Sequence, residues 1–129
     1  MSQHAGLDVE RWSAFDVDQQ VLMIANELNR VSGAMSPDRA RSRRAGYERA
    51  LRLTDLTVAC TDRRAFRREL LRWRGLIAEL YLSAEADPDA HRSAFRALLL
   101  LRPVAARQIP LLAATREASP RSSSREPRA

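Results

Sequence analysis

Residues 36–75 read SPDRARSRRAGYERALRLTDLTVACTDRRAFRRELLRWRG, and they hold two helices with the break between them. Ser36, Pro37 and Asp38 supply a capping hydroxyl, a ring whose φ is already helical, and an acid in the first turn, where the helix dipole is positive. The helix they open is expected to run to about Cys60. It is apolar on two sides, with Ala40, Tyr47, Leu51 and Val58 on one and Ala45, Leu53, Leu56 and Cys60 on the other. A helix that packs on one neighbour needs a single stripe, so this one is expected either to be central or to meet another subunit. Thr61 and Asp62 interrupt the pattern and cap a helix from Arg63 to about Ser83, whose core stripe is Phe66, Leu70, Trp73, Ile77, Tyr81 and Ala84.

Similar signals recur on either side. Upstream, Asp16 is placed to cap a helix from Val17 to about Ser32, closed by Gly33 in the left-handed position that glycine favours. Val17, Val21, Ile24, Leu28 and Val31 share one face of it at about 100° per residue. Gln20 and Glu27 fall within about 60° of the centre of that face, and such groups are costly to bury alone, so both need partners. Residues 1–15 form a polar lead-in that lays Trp12 and Phe15 on the helices. Downstream, Asp87, Pro88 and Asp89 open a fourth helix with Ala94, Phe95, Leu98 and Leu101 inward, until Pro103 kinks or ends it. Residues 104–112 keep helical spacing as a bent continuation. Leu99 and Leu100 point away from the main stripe, and with Leu111 and Leu112 they suggest a second contact surface. From Thr115 the composition turns to Ser, Arg, Pro and Glu, too poor in apolar groups to order itself. The expected architecture is all-α: an antiparallel four-helix bundle over residues 1–114, with a disordered basic tail over residues 115–129.

A chain of 129 residues, 45% of them apolar, fits one domain with one ordinary core, which excludes a multidomain enzyme. Four glycines, 5% aromatics and a wealth of Ala, Leu and Arg favour helix over strand. The longest apolar run, residues 97–101, falls far short of the roughly eighteen residues that a membrane helix needs. Cys60 alone forms no internal disulfide and no apolar leader follows Met1, so the expected location is the cytoplasm, away from membranes.

The formal charge of +6 is unevenly placed. Residues 36–75 hold twelve arginines against five acids, a net of +7, whereas residues 1–35 carry −3, residues 76–114 zero and the remainder +2. The chain has no lysine. A genome rich in G and C writes Arg wherever Lys would serve, so where the charge sits says more than which residue carries it. Arg64, Arg68 and Arg72 recur at i, i+4 and i+8 on the outer face of the expected third helix, flanked by Arg63 and Arg67, and Arg41 and Arg44 sit near the start of the second. Like charges at that spacing destabilise an isolated helix by a few tenths of a kcal/mol per pair. A phosphate backbone rewards them by counterion release, and the competing reading is a solvated face.

Candidates for chemistry are few. His4 and His91 have no second ligand at helical spacing, so no metal is expected. Cys60 ends an apolar side of its helix and reads as a small buried hydrophobe. No Gly-rich phosphate loop occurs, and neither a catalytic group nor a cofactor is expected. Glu27, Asp55 and Arg74 each lie within about 60° of the apolar centre of a different helix. They are expected to form a buried polar network in which one planar guanidinium serves two carboxylates.

Trp12, Phe15 and Gln20, followed by ERALRLTDLT at residues 48–57 and ELLRWR at residues 69–74, resemble a group of small bacterial helical proteins. In that group W, Q, RALELLDLT and ELARLRE recur in this order, with an AAR near the end that Ala105, Ala106 and Arg107 match. The resemblance covers about residues 12–107 and implies a helical fold without naming a chemistry; where the group has Glu after its last motif arginine, this chain has Gly75. In size, helix count and basicity the chain also resembles the accessory variability determinant proteins of diversity-generating retroelements, basic four-helix bundles that form rings and assist a reverse transcriptase by binding nucleic acid. That resemblance implies a homo-oligomer, a reverse transcriptase as partner, and DNA or RNA held by its backbone. On this chain the contacts are then expected at Arg41, Arg44, Arg63, Arg64, Arg67, Arg68 and Arg72. The competing expectation is an oligomeric protein-interaction adaptor of the toxin–antitoxin or signalling type.

Overall fold

Residues 8–107 and 109 are described by the structure, a computed structural model. Along them run α1 (Val9–Trp12), α2 (Val17–Ser32), a 3-10 turn (Pro37–Arg39), α3 (Ala40–Cys60), α4 (Arg64–Leu82), α5 (Pro88–Leu99) and α6 (Pro103–Ala106). No strand occurs among the described residues. Leu111, Leu112 and the segment 115–129, expected to be disordered, lie outside them, as does His4.

Aspartates start three of the helices. Asp8 accepts from the Arg11 N–H at 2.9 Å to open α1, and Asp87 accepts from the Ala90 N–H at 3.0 Å to open α5. At α2 the Asp16 carboxylate accepts from the Gln19 N–H while the Gln19 side chain accepts from the Asp16 N–H, a reciprocal capping box. The other expected boundary signals are used differently. Ser36 gives its hydroxyl to the Asp38 carboxylate at 2.6 Å instead of capping the backbone, and Pro37 leads the 3-10 turn ahead of α3. Gly33 closes α2 at φ −91°, so the expected left-handed residue is absent there. Pro103 is the first residue of α6, where its missing N–H costs nothing.

Of the two expected roles for α3, the central one is realised. It packs against α1, α2 and α4, while α5 closes on α2 and α4, and α6 lies across α2 and α5. The buried face is nevertheless a single stripe of Arg43, Gly46, Tyr47, Ala50, Leu53, Thr54 and Thr57, and the expected apolar sides are its half-buried flanks at Leu51, Leu56, Val58 and Cys60. Small residues fill that stripe because α2 comes close: a Cβ added to Gly46 would overlap Cγ2 of Val31. Thr54 and Thr57 bury without orphaned hydroxyls, since they donate to the Ala50 and Leu53 carbonyls at 2.7 and 3.0 Å.

Around α3 the core holds Val21, Ile24, Leu28 and Val31 of α2, Phe66, Leu70, Trp73 and Ile77 of α4, and Ala94, Phe95, Leu98 and Leu99 of α5. Leu99 is therefore part of the core and not of a second surface, whereas Leu100 is exposed. Each large aliphatic among them contributes about 1.5–3 kcal/mol by leaving water. Two indoles stitch the layers. Trp12 donates to the Thr57 hydroxyl at 2.9 Å, and Trp73 donates to the Ala94 carbonyl at 2.7 Å. Gln20 finds the partners it needs in the lead-in, where its amide donates to the carbonyls of Trp12 and Phe15, each at 3.0 Å. No helix among the described residues is long and apolar enough to cross a membrane.

Candidate nucleic-acid interface

The start of α4 gathers charge in an arrangement that local stability does not favour. Arg63 occupies the N-cap without offering a side-chain bond to the first turn, and that turn carries no acid. Arg64, Arg67 and Arg68 follow, all exposed. Arg67 gives one N–H to the Thr61 carbonyl at 2.5 Å, and the side chains of Arg63, Arg64 and Arg68 have no ion pair among the described residues. Thr61, expected as a cap, accepts from the Arg63 N–H at 3.3 Å and reaches no further. Unsatisfied backbone N–H groups and four guanidiniums therefore converge on one end of the molecule. Arg72 lies farther along α4 and faces Glu69 at 3.8 Å.

Arg41 and Arg44 do not join that group. The Arg44 guanidinium lies 5.1 Å from the centroid of the Tyr81 ring, which sets the start of α3 beside the end of α4. Tyr81 and Arg64 are 17 residues apart on one helix, or about 25 Å at 1.5 Å per residue. Of the seven arginines expected on one surface, six thus fall into two clusters at opposite ends, and Arg72 lies between them. Arg43, in the same basic run, is buried and donates to the carbonyls of Ala34 and Ser36 at 3.1 and 3.4 Å, where it ties down the chain leaving α2. Its place one turn before Gly46 and Tyr47, on the face that meets α2, is the signal that separates it from its exposed neighbours.

The expected buried network of Glu27, Asp55 and Arg74 divides into two pairings. Glu27 is buried, and Arg49 donates to it at 2.8 Å with Arg30 at 3.7 Å. Arg74 donates to both carboxylate oxygens of Asp55, at 2.6 and 3.1 Å, and this bond raises the guanidinium pKa. That second pair lies near the surface, with Asp55 55% and Arg74 34% exposed at the side chain. Neither pairing makes a site; each fixes the register of two helices.

His91 joins three helices in a way its position in the sequence does not announce. It is buried, with Nδ1 2.9 Å from the Tyr47 hydroxyl and Nε2 2.9 Å from the Ser32 hydroxyl. Ser32 donates its own proton to the Leu28 carbonyl at 3.1 Å, which leaves its oxygen to accept from Nε2–H and leaves Nδ1 to accept from Tyr47. Burial pushes the imidazole down to about 4, against an opposing pull from the Leu28 carbonyl and with a smaller push from the Arg92 charge. Burial also pushes the Tyr47 phenol up to about 12. A serine, an imidazole and an orienting hydroxyl in a row have the outline of an activated nucleophile. An imidazole this weakly basic is a poor proton acceptor at neutral pH, however, and the serine proton is already committed. The row is a structural tie between α2, α3 and α5. Cys60, half-buried, has its thiol pushed up by burial, and no group of residues among those described is arranged to hold a metal ion.

Comparison with family models, with curated proteins and with solved structures returned no match.

Proposed function

We propose that the chain is a non-enzymatic basic protein, an antiparallel bundle of α2, α3, α4 and α5, that binds nucleic acid through the phosphate backbone at the start of α4. The observation that carries this reading is the group Arg63, Arg64, Arg67 and Arg68, exposed around a helix N-terminus that has no acidic cap. Left alone, each cation there costs about 0.3–1 kcal/mol against the helix dipole. Phosphate oxygens reverse the sign, because they accept from the free N–H groups and neutralise the guanidiniums at once. Phe66 and Trp73 are buried, so this face offers neither ring for bases to stack on. Binding is therefore indifferent to base identity. Assistance to a reverse transcriptase, which the resemblance to retroelement accessory proteins implies, is one setting for such a binder. Paired template and variable repeats beside the gene favour it, and a neighbouring toxin or signalling gene favours the adaptor reading.

Fluorescence anisotropy with duplex DNA and duplex RNA across a salt series tests the proposal. The log–log slope on duplex DNA is expected near −0.9 for each phosphate neutralised, and changing Arg63, Arg64 and Arg68 together to Gln flattens it by roughly three units. The thermal melt of that variant is expected at or above the parent's, since the side chains face solvent and their charges no longer oppose the helix dipole. Arg41→Gln with Arg44→Gln, at the far end, leaves the slope almost unchanged. A triple variant that binds as tightly as the parent at every salt concentration refutes the reading.

A further inference from the structure

α4 carries a second outward feature that the arginines do not explain. Leu71, Leu76 and Leu82 are 48%, 47% and 73% exposed, three of the few large hydrophobic side chains left in water among the described residues. Leu71, Gly75, Ala78 and Leu82 follow one another at intervals of four, three and four, which puts them on one line along the solvent side of the helix. Gly75 is the informative member. Its φ is not positive, and a Cβ built on it would have no neighbour within 4 Å among the described residues, none of which requires glycine there. A glycine inside a helix nevertheless weakens it relative to alanine. The line has the form of a helix seam whose centre is cut away for a close neighbour.

We propose that this face pairs with the same face of a second copy of the chain, with the two α4 helices running antiparallel. The chain's own charges argue for a second copy over a different partner. A twofold axis passing between Leu76 and Ile77 sets Leu71 against Leu82 of the partner subunit and Gly75 against Ala78 of the partner subunit. On the side of the seam where Leu76 lies, the same axis brings Arg72 to within one helical turn of Glu79 of the partner subunit, and the relation repeats by symmetry. Among the described residues of its own chain, Arg72 has only the loose approach of Glu69 at 3.8 Å, and Glu79 is exposed. One stripe thus carries leucines, small residues and opposite charges at offsets that complement their own inversion. The contact spans about three turns, at the low end of specific interfaces, so dissociation in the micromolar range is expected. Arg63, Arg64 and Arg67 lie beyond the seam, while Arg68, one turn before Leu71 on the same line, falls at its edge, so the pairing is measured without nucleic acid.

Sedimentation equilibrium on the full chain, without nucleic acid and up to roughly 100 µM, decides the matter. The parent is expected to dimerise, and Leu71→Glu or Leu82→Glu is expected to raise the dissociation constant at least about tenfold while leaving the circular dichroism melt of the monomer intact. Gly75→Gln separates interface from fold: it stabilises the monomer through helix propensity and weakens the dimer through bulk. Arg72→Glu alone weakens association, and Arg72→Glu combined with Glu79→Arg restores it, which no parallel or remote interface reproduces. A parent that stays monomeric over this range overturns the proposal, whether the face is bare or covered by residues 110–129 of the same chain. A dimer indifferent to Leu71→Glu, or unrescued by the charge exchange, overturns it equally.

Discussion

Acidification is expected to loosen the fold through His91 before the carboxylates titrate. The imidazole is neutral in the folded chain because burial holds it down to about 4, whereas in the unfolded chain it protonates near its ordinary 6.5. Between those values the unfolded state binds the extra proton, so stability is full above pH 6.5 and falls as the pH drops toward 4. The limiting loss is about 3 kcal/mol, from roughly 2.5 pK units at 1.36 kcal/mol each, and about 2 kcal/mol of it is already gone at pH 5. The one charge that acts on the ring, Arg92 on its own helix, also opposes protonation, while Arg43 and Asp87 act in opposite senses on its partner Tyr47. Urea unfolding at intervals from pH 8 to pH 5 measures the slope, and the imidazole proton resonances of a His4→Gln variant report the titration of His91 directly. Tyr47→Phe, which leaves Nδ1 without a donor, costs a further 1–3 kcal/mol or so at neutral pH. A His91 resonance that titrates near 6.5, or stability that is flat from pH 8 to pH 5, would show that the ring is not enclosed as described.

Two further outcomes follow from the packing. Arg49→Met strips a charged bond from the buried Glu27 and is expected to cost about 3 kcal/mol, whereas Asp55→Asn, in the exposed pair, costs less than about 1 kcal/mol; denaturant melts that reverse this order contradict the assignment of buried and surface pairs. Gly46→Ala adds helix propensity worth up to about 1 kcal/mol but drives a methyl into Val31, an overpacking cost of about 1–3 kcal/mol, so a lower melting temperature is expected and a higher one refutes the close approach of α2 and α3.

Much of this could be read from residue order. Helix starts at Asp16 and Asp87, and most of the inward stripes of α2, α4 and α5, were legible because large aliphatics and capping acids obey short-range rules, although Ala84, expected inward, is exposed past the end of α4 and Leu99, expected outward, is buried. The inward face of α3 was not. It is made of Gly46, Ala50, Thr54, Thr57 and Arg43, residues that a hydrophobic pattern does not count, while the more conspicuous Leu51, Leu56 and Val58 only flank it. Ion pairing was illegible for a different reason. Helical angle says which face a residue occupies but not at what height it meets its neighbour. The contacts of Gly46 with Val31 and of Arg49 with Glu27 fix α3 against α2, and Asp55 then lies six residues, about 9 Å, farther along. The excess charge of residues 36–75 was visible, but its division between two ends depends on the start of α3 lying beside the end of α4, which no local signal encodes.

α4 is where local choices and local stability disagree most. Its inward face is conventional, with Phe66, Leu70, Trp73 and Ile77 buried at helical spacing. Its outward line begins with uncapped arginines, continues through Leu71 to an unconstrained glycine and ends on a leucine that is almost three-quarters exposed. A missing cap costs about 1 kcal/mol, arginines near the positive end about 0.3–1 kcal/mol each, and the glycine about 1 kcal/mol. Together these come to roughly 3–6 kcal/mol, as large as the smallest stabilities that folded domains show, roughly 5 kcal/mol, and they fall away from the side of the helix that the core uses. Helices α2 and α5, built by the same chain, carry aspartate caps and acids in their first turns, whereas α3, like α4, starts on an arginine without a side-chain cap or an acid in its first turn. The chain therefore has the means to cap α4 and does otherwise. What α4 adds to an uncapped basic start is the exposed leucines and the glycine, and that combination is the pattern the proposed binding surface would leave, with residues selected for a partner and the fold supported from elsewhere.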